Sequence, residues 1–106
     1  MHVLVTGASG FVGRRLVTTL ARKDNYLVTG TIRGKNTTPV DAVKLLQAAD
    51  LSPKTDWSEA LSSVDVVVHA AARVHVMNEA ETDPLAVFRK VNVQGTLNLA
   101  RQAVTA

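Results

Sequence analysis

Thr6-Gly7-Ala8-Ser9-Gly10-Phe11-Val12-Gly13 is the stretch on which the fold turns. Before it, His2-Val3-Leu4-Val5 is a short apolar run closed by glycine, the pattern of a buried strand. After it the spacing becomes helical. Over residues 10–23, Val12, Leu16 and Leu20 fall on one predicted face, with Gly13 and Val17 beside them. Asp24-Asn25 supply a turn, and residues 26–32 read as a second strand ended by Arg33-Gly34. Strand, glycine loop, helix and strand fit within about 30 residues, the length of a βαβ crossover.

Each glycine in the loop has a physical task. Gly7 permits a sharp turn out of the strand, Gly10 presents no Cβ to a ligand, and Gly13 lets the helix lie close on the strand. The first helical N–H groups have no partner within the helix, and the dipole makes that end positive. A doubly charged pyrophosphate is the group such a loop accepts, so the expected ligand is a dinucleotide held by Gly7, Ser9, Gly10, Phe11, Val12 and Gly13. A glycine turn without a ligand is the alternative. The preceding apolar strand and the following amphipathic helix argue against it.

Further along, Lys35-Asn36-Thr37-Thr38-Pro39 is a polar loop. Residues 40–49 are helix-permissive, yet an α/β alternation needs a third strand here, placed at about residues 43–49. Residues 55–63 read as a short helix with Asp56 as N-cap and Glu59 three positions on, as in a capping box. Residues 64–70 form a near-continuous apolar run that suits a strand covered on both faces. Beyond an irregular stretch at 71–83, Pro84 opens a long helix expected to run to the last residue. Its stripe of Val91, Gly95, Leu99 and Ala103 faces the sheet, with Phe88 alongside. A glycine inside a helix costs about 1 kcal/mol against alanine, which a close backbone approach at Gly95 would account for. Nothing caps the helix at Ala106, so these residues are expected to be the start of a longer parent chain. The predicted class is α/β, the N-terminal portion of a Rossmann-type doubly wound parallel sheet, with strands one to four and intervening helices.

Composition narrows the function classes. The 106 residues make one domain at most, 46% hydrophobic and 20% charged, as in ordinary globular proteins. No run reaches the roughly 18 apolar residues that cross a bilayer, and the opening strand lacks a signal-peptide layout. Without cysteine there are no disulfides or thiolate metal sites, and the cytoplasm is the default compartment. Twelve Lys+Arg against nine Asp+Glu give +3. The basic residues are spread over every element, and only Phe11, Tyr26, Trp57 and Phe88 could stack on a base. This reads as solvated surface with local attraction for phosphate, and nucleic acid is not an expected partner.

The spacing Gly7-x-x-Gly10-x-x-Gly13 after Thr6 resembles the extended branch of the short-chain dehydrogenase/reductase superfamily, the NAD(P)-dependent sugar-nucleotide epimerases, dehydratases and reductases. Three later segments carry the same resemblance. Asp50-Leu51 is similar to the acidic pair that follows the third strand and faces the adenine. His69-Ala70-Ala71-Ala72 is similar to His-x-Ala-Ala at the end of the fourth strand, and Asn92-Val93-Gln94-Gly95-Thr96 to Asn-x-x-Gly-Thr on the fourth major helix. Val74-His75-Val76-Met77 further resembles 4-epimerases and 4-keto reductases of bacterial surface-polysaccharide synthesis.

The resemblance implies cofactor contacts at Asp50, Leu51, Ala70, Ala71, Ala72 and Asn92, with a supporting active-site role for Asn92 through a hydrogen bond or water. Close packing accounts equally well for any one alanine, and a locally satisfied polar side chain for Asn92. His69 and His75 are not at metal-ligand spacing, and no metal is expected. His69 reads as a satisfied residue at a strand end.

Cofactor choice rests on the end of strand two. NAD binders place an acid about 20 residues past the glycines, on the ribose 2′-OH. Here that position is Arg33, and no acid lies within residues 29–34. Arg33, helped by Lys35, favours a 2′-phosphate and hence NADP(H) over NAD(H); a solvated arginine at a strand edge is the other reading. The resemblance also implies a Tyr-x-x-x-Lys acid/base pair, but the single tyrosine, Tyr26, is followed four residues on by Gly30. No catalytic residue is therefore expected within these residues beyond the supporting Asn92. The expected whole is an enzyme on nucleotide sugars whose first part, alone, is not competent. A non-enzymatic dinucleotide sensor of the same fold is the alternative. With strand four at the edge, self-association is expected through residues 64–70 or the last helix.

Overall fold

The computed structural model describes residues 1–33, 39–47, 51–71 and 84–106. Strands β1 (His2–Thr6), β2 (Leu27–Ile32), β3 (Val43–Gln47) and β4 (Val66–His69) form one sheet in the order β3-β2-β1-β4. Every pairing is parallel, with Leu4 level with Thr29 and Val67, and Thr6 level with Thr31 and His69. This is the first half of a doubly wound Rossmann sheet, with the strand from which the chain starts at its centre.

Alternation along the strands divides the core between two faces. Val3, Val5 and Val28 point to one side, where they pack with Ala8 and with Val17 of α1 (Phe11–Ala21). Leu4 points to the other, into a cluster with Leu51, Trp57, Ala60, Leu61 and Leu99. That second side is covered by one continuous run of helix: α2 (Pro84–Arg89), a π-helical turn (Lys90–Gly95) and α3 (Thr96–Thr105). The expected stripe holds, with Gly95 and Leu99 buried and Val91 and Ala103 packed against the cluster.

Several expectations need adjustment. Within α1 the buried residues are Gly13 and Val17, while Leu16 and Leu20 are half-buried and Val12 is 66% exposed. The close approach is made by the glycine, and the residue before it is turned outward. Residues 55–63 are a succession of turns and not a helix. A single i→i+4 bond, Leu61 N–H to Trp57 O (2.9 Å), is followed by i→i+3 bonds from Ser62 and Val64. Asp56 still accepts from the backbone of Ser58 at 2.9 Å, and the backbone and side-chain bonds from Ser58 hold its carboxyl below the usual range. Burial of Trp57, Ala60 and Leu61 shapes this segment more than helix propensity does. Strand β4 is shorter than residues 64–70. Val67 and Val68 do pack on opposite faces, but only half-buried, since β4 has no second strand neighbour among the described residues. The π turn was not foreseen, and Asn92 lies in it.

Candidate nucleotide-binding site

The site is built where β1 and β4 end and α1 begins. Gly7 takes φ +69, a conformation that favours glycine. A Cβ there would also come within 2.8 Å of Ala71 N and 2.9 Å of its Cα, so the turn rests directly on the end of β4. The chain reaches Gly10 in an extended conformation and α1 starts at Phe11. At Gly13 a Cβ would fall on the Gly7 carbonyl oxygen and lie 2.8 Å from its carbon, which fixes the helix against the turn.

The open end of α1 has the properties an anion needs. No side chain caps it and no acid stands in its first turn. Ser9, Gly10, Phe11 and Val12 are exposed, and Phe11 is 98% exposed. At Gly10 the nearest atom to an added Cβ is Gly7 O at 3.3 Å, and the rest of the surroundings within contact distance are open. A pyrophosphate would therefore meet backbone N–H groups at the positive end of a helix, with neither a carboxylate nor a Cβ in its way. The residues present fit a dinucleotide.

Other expected residues are placed as follows. Ala70 and Ala71 are half-buried beside the glycine turn, and their N–H groups donate to Thr6 Oγ1 at 3.1 and 3.2 Å. Arg33 is exposed just past β2, where its carbonyl accepts from Gln47 Nε2 at 3.3 Å. Asn92 is half-buried in the π turn. Leu51 is 6% exposed in the core cluster, with its Cγ 2.8 Å from where a Cβ on Gly95 would lie. Asp50, Ala72, Lys35 and the 74–77 segment lie outside the described residues.

His69 is a satisfied residue at a strand end, as expected, but its partners were not foreseen, nor was a second polar arrangement on α3. Thr6 Oγ1 lies 2.6 Å from His69 Nδ1, and His69 Nε2 lies 3.0 Å from Thr96 Oγ1. On α3, Asn98 Nδ2 donates to the carbonyls of Ser52 (3.1 Å) and Thr55 (2.8 Å), and Gln102 Nε2 donates to Thr55 O and to Asn98 Oδ1. Gln102 Oε1 accepts from Trp57 N–H at 2.8 Å. The i, i+4 spacing of Asn98 and Gln102 was the available signal for the second; Thr6 and Thr96, each adjacent to a motif glycine, were the signal for the first. Among the described residues no group of three or more metal-ligating side chains occurs, and no helix is long and apolar enough to cross a membrane.

With this geometry in place, comparison with known proteins defines the class. Residues 3–106 match the model of the NAD dependent epimerase/dehydratase family, and the chain belongs to that family. It is similar to a UDP-glucose 4-epimerase from Vibrio cholerae, 42% identical over 102 residues, covering 96% of this chain and 30% of that protein. A 3-beta-hydroxysteroid dehydrogenase from Mycolicibacterium neoaurum is 35% identical over 100 residues, covering 92% of this chain and 27% of the relative. Among solved structures, the UDP-glucuronic acid 4-epimerase from Bacillus cereus in complex with UDP-glucuronic acid and NAD superposes with a TM-score of 0.73 at 28% identity. That match covers 95% of this chain and 35% of the epimerase. The chain thus spans about a third of the length of the relatives it matches.

Proposed function

We propose that these residues are the dinucleotide-gripping part of an NAD(P)-dependent enzyme acting on nucleotide sugars, an epimerase, dehydratase or 4-keto reductase of the cytoplasm. The observation that carries this is the uncapped, acid-free start of α1, reached through Gly7 at positive φ with Gly10 exposed. The similarity to UDP-sugar 4-epimerases supports the substrate class. The Val74–Met77 resemblance points to surface-polysaccharide synthesis as the setting. The Tyr-x-x-x-Lys pair is supplied by chain outside these 106 residues, so the 106 residues bind the dinucleotide and do not turn over substrate.

When bound, the nicotinamide gives or takes up a hydride. This chain's own residues bind and orient. Gly7, Ser9, Gly10, Phe11, Val12 and Gly13 hold the pyrophosphate, Asp50 and the backbone of Leu51, whose side chain is in the core, border the adenine, Ala70, Ala71 and Ala72 form the floor, and Asn92 steadies the reacting side. Arg33, exposed at the end of β2 with no acid in residues 29–34, sets a preference for NADP(H).

Parallel titrations of the chain with NADPH and NADH test the reading. NADPH should bind more tightly by about tenfold or more, the size of one charge-assisted hydrogen bond. Arg33→Asp should reverse the order. Equal affinities in both proteins would overturn the preference, and no binding of either would overturn the dinucleotide assignment.

A further inference from the structure

We propose that His69 is a positioning residue that ties the glycine turn to the helix bearing Asn92, and that it does so only as the neutral imidazole with its proton on Nε2. The tie rests on counting lone pairs. Thr6 Oγ1 is approached by two backbone N–H groups, which can only donate: Ala71 at 3.2 Å, and Ala70 at 3.1 Å, the latter shared with the Thr6 carbonyl at 3.3 Å. They fill both acceptor positions of the hydroxyl. Its own proton is left for the remaining partner, His69 Nδ1 at 2.6 Å, which must therefore be bare. A neutral ring then carries its proton on Nε2, facing Thr96 Oγ1 at 3.0 Å.

The three side chains span the site. Thr6 ends β1 and leads into Gly7, and Ala71 N is only 2.8 Å from where a Cβ on Gly7 would lie. Holding Ala70 and Ala71 therefore holds the turn beneath the pyrophosphate. Thr96 begins α3 at the end of the π turn that contains Asn92. One imidazole thus sets the distance between the cofactor loop and the helix on the reacting side.

A second proton breaks the arrangement. An N–H at Nδ1 would point at a hydroxyl oxygen with no acceptor position left, so a bond from Ala70 or Ala71, or the contact to His69, must be given up. His2, on the same face, has the opposite wiring. Its Nδ1 lies 3.1 Å from the carbonyl of Ser63, a pure acceptor, and its Nε2 lies 2.7 Å from Thr29 Oγ1.

No charged group competes at His69 among the described residues. β1 presents Thr6 to the ring and carries one ionisable side chain, His2, at its far end; β4 carries none besides His69. On the covering helices Arg89, Lys90 and Arg101 are exposed, and on α1 Arg15 is exposed and Arg14 half-buried on the opposite face of the sheet. Burial alone lowers the His69 pKa from 6.5, in keeping with a site built for the neutral ring.

The proposal rests on the dinucleotide reading for its consequence but not for its test. Nitrogen-15 NMR of the 106-residue chain without ligand should show Nε2 protonated and Nδ1 bare. As pH falls through the His69 pKa, the amide protection factor at Ala71 should drop by about tenfold, the size of one net hydrogen bond, while Ala70, which also has the Thr6 carbonyl, loses less and Leu4 and Val5 stay constant. His69→Asn, whose side-chain oxygen replaces Nδ1 as acceptor, should keep that protection and lose its pH response; His69→Phe should lose the protection at every pH. An Nδ1–H tautomer, or protection at Ala71 indifferent to His69 protonation, overturns the proposal. NADPH affinity should weaken over the same pH range. Failure to bind NADPH at any pH, with the NMR result as expected, would sink the cofactor reading and leave the tie standing.

Discussion

On the α1 face of the sheet backbone meets backbone, whereas on the α3 face backbone meets side chains. At Gly13 a Cβ would fall on the carbonyl of Gly7, and at Gly7 one would lie 2.8 Å from Ala71 N. The core there is made of small residues, Val3, Val5, Ala8, Val17 and Val28. Across the sheet, Gly95 is set against the Leu51 side chain, and the cluster is built from Leu4, Leu51, Trp57, Leu61 and Leu99. Polar groups reinforce that side: the Thr6–His69–Thr96 tie and the bonds from Asn98 and Gln102 to residues 52–57. The first face shapes a ligand loop with main-chain geometry alone. The second positions distant segments with replaceable side chains. The difference predicts where the molecule tolerates change.

Gly13→Ala should have the largest effect. No side-chain rotation can relieve a contact between a Cβ and the Gly7 backbone, so the helix must move, at a cost of about 3 kcal/mol or more. Chemical denaturation measures it, and a loss under about 1 kcal/mol would show that the α1 face is not locked by its backbone. Asn98→Ala comes next. It removes one of two donors from each of the carbonyls of Ser52 and Thr55, which keep Thr55 N–H and Gln102 Nε2 respectively, and should destabilise by about 1 kcal/mol. Because Gln102 Nε2 also donates to Asn98 Oδ1, Gln102→Ala should add less in the double variant than alone. Strict additivity would mean that the two side chains do not act as one clamp.

The smallest effect separates the faces by pH. The folded state holds the His69 pKa below 6.5, so the unfolded chain takes up the proton first as pH falls. The stability this group contributes is therefore complete above 6.5 and is lost as pH drops from there through the folded value. Since His69 is half-exposed, solvent screening keeps the loss modest. His69→Asn should flatten that part of the stability profile, and Gly13→Ala should leave its shape unchanged.

Legibility in the sequence follows the same division. Gly7, Gly10 and Gly13 could be read directly, because the constraint on each is local: a positive φ, an open approach, a helix against its own preceding turn. The parallel order of the strands followed from the βαβ spacing. The α3 face was only partly readable. The stripe of Val91, Gly95, Leu99 and Ala103 announced a buried helix face, but what it meets comes from distant residues, Leu4 and the segment 51–61. Residues 55–63 looked helical from Asp56 and Glu59, yet burial of Trp57 and Leu61 against α3 won over capping. The π turn left no trace in composition. Leu51, expected beside the adenine, has its side chain in the core, a placement that depends on the long-range approach of Gly95.

The most direct test of the central claim is calorimetric titration of NADPH into the wild-type chain and into Gly10→Ala. An added Cβ at Gly10 meets only Gly7 O at 3.3 Å, so the fold should survive with a loss of about 1 kcal/mol at this N-cap position. The account predicts saturable binding to the wild-type chain, weakened by about tenfold or more in Gly10→Ala, through obstruction of the phosphate's approach to the N–H groups. Equal binding to the two proteins, or none to either, would contradict it.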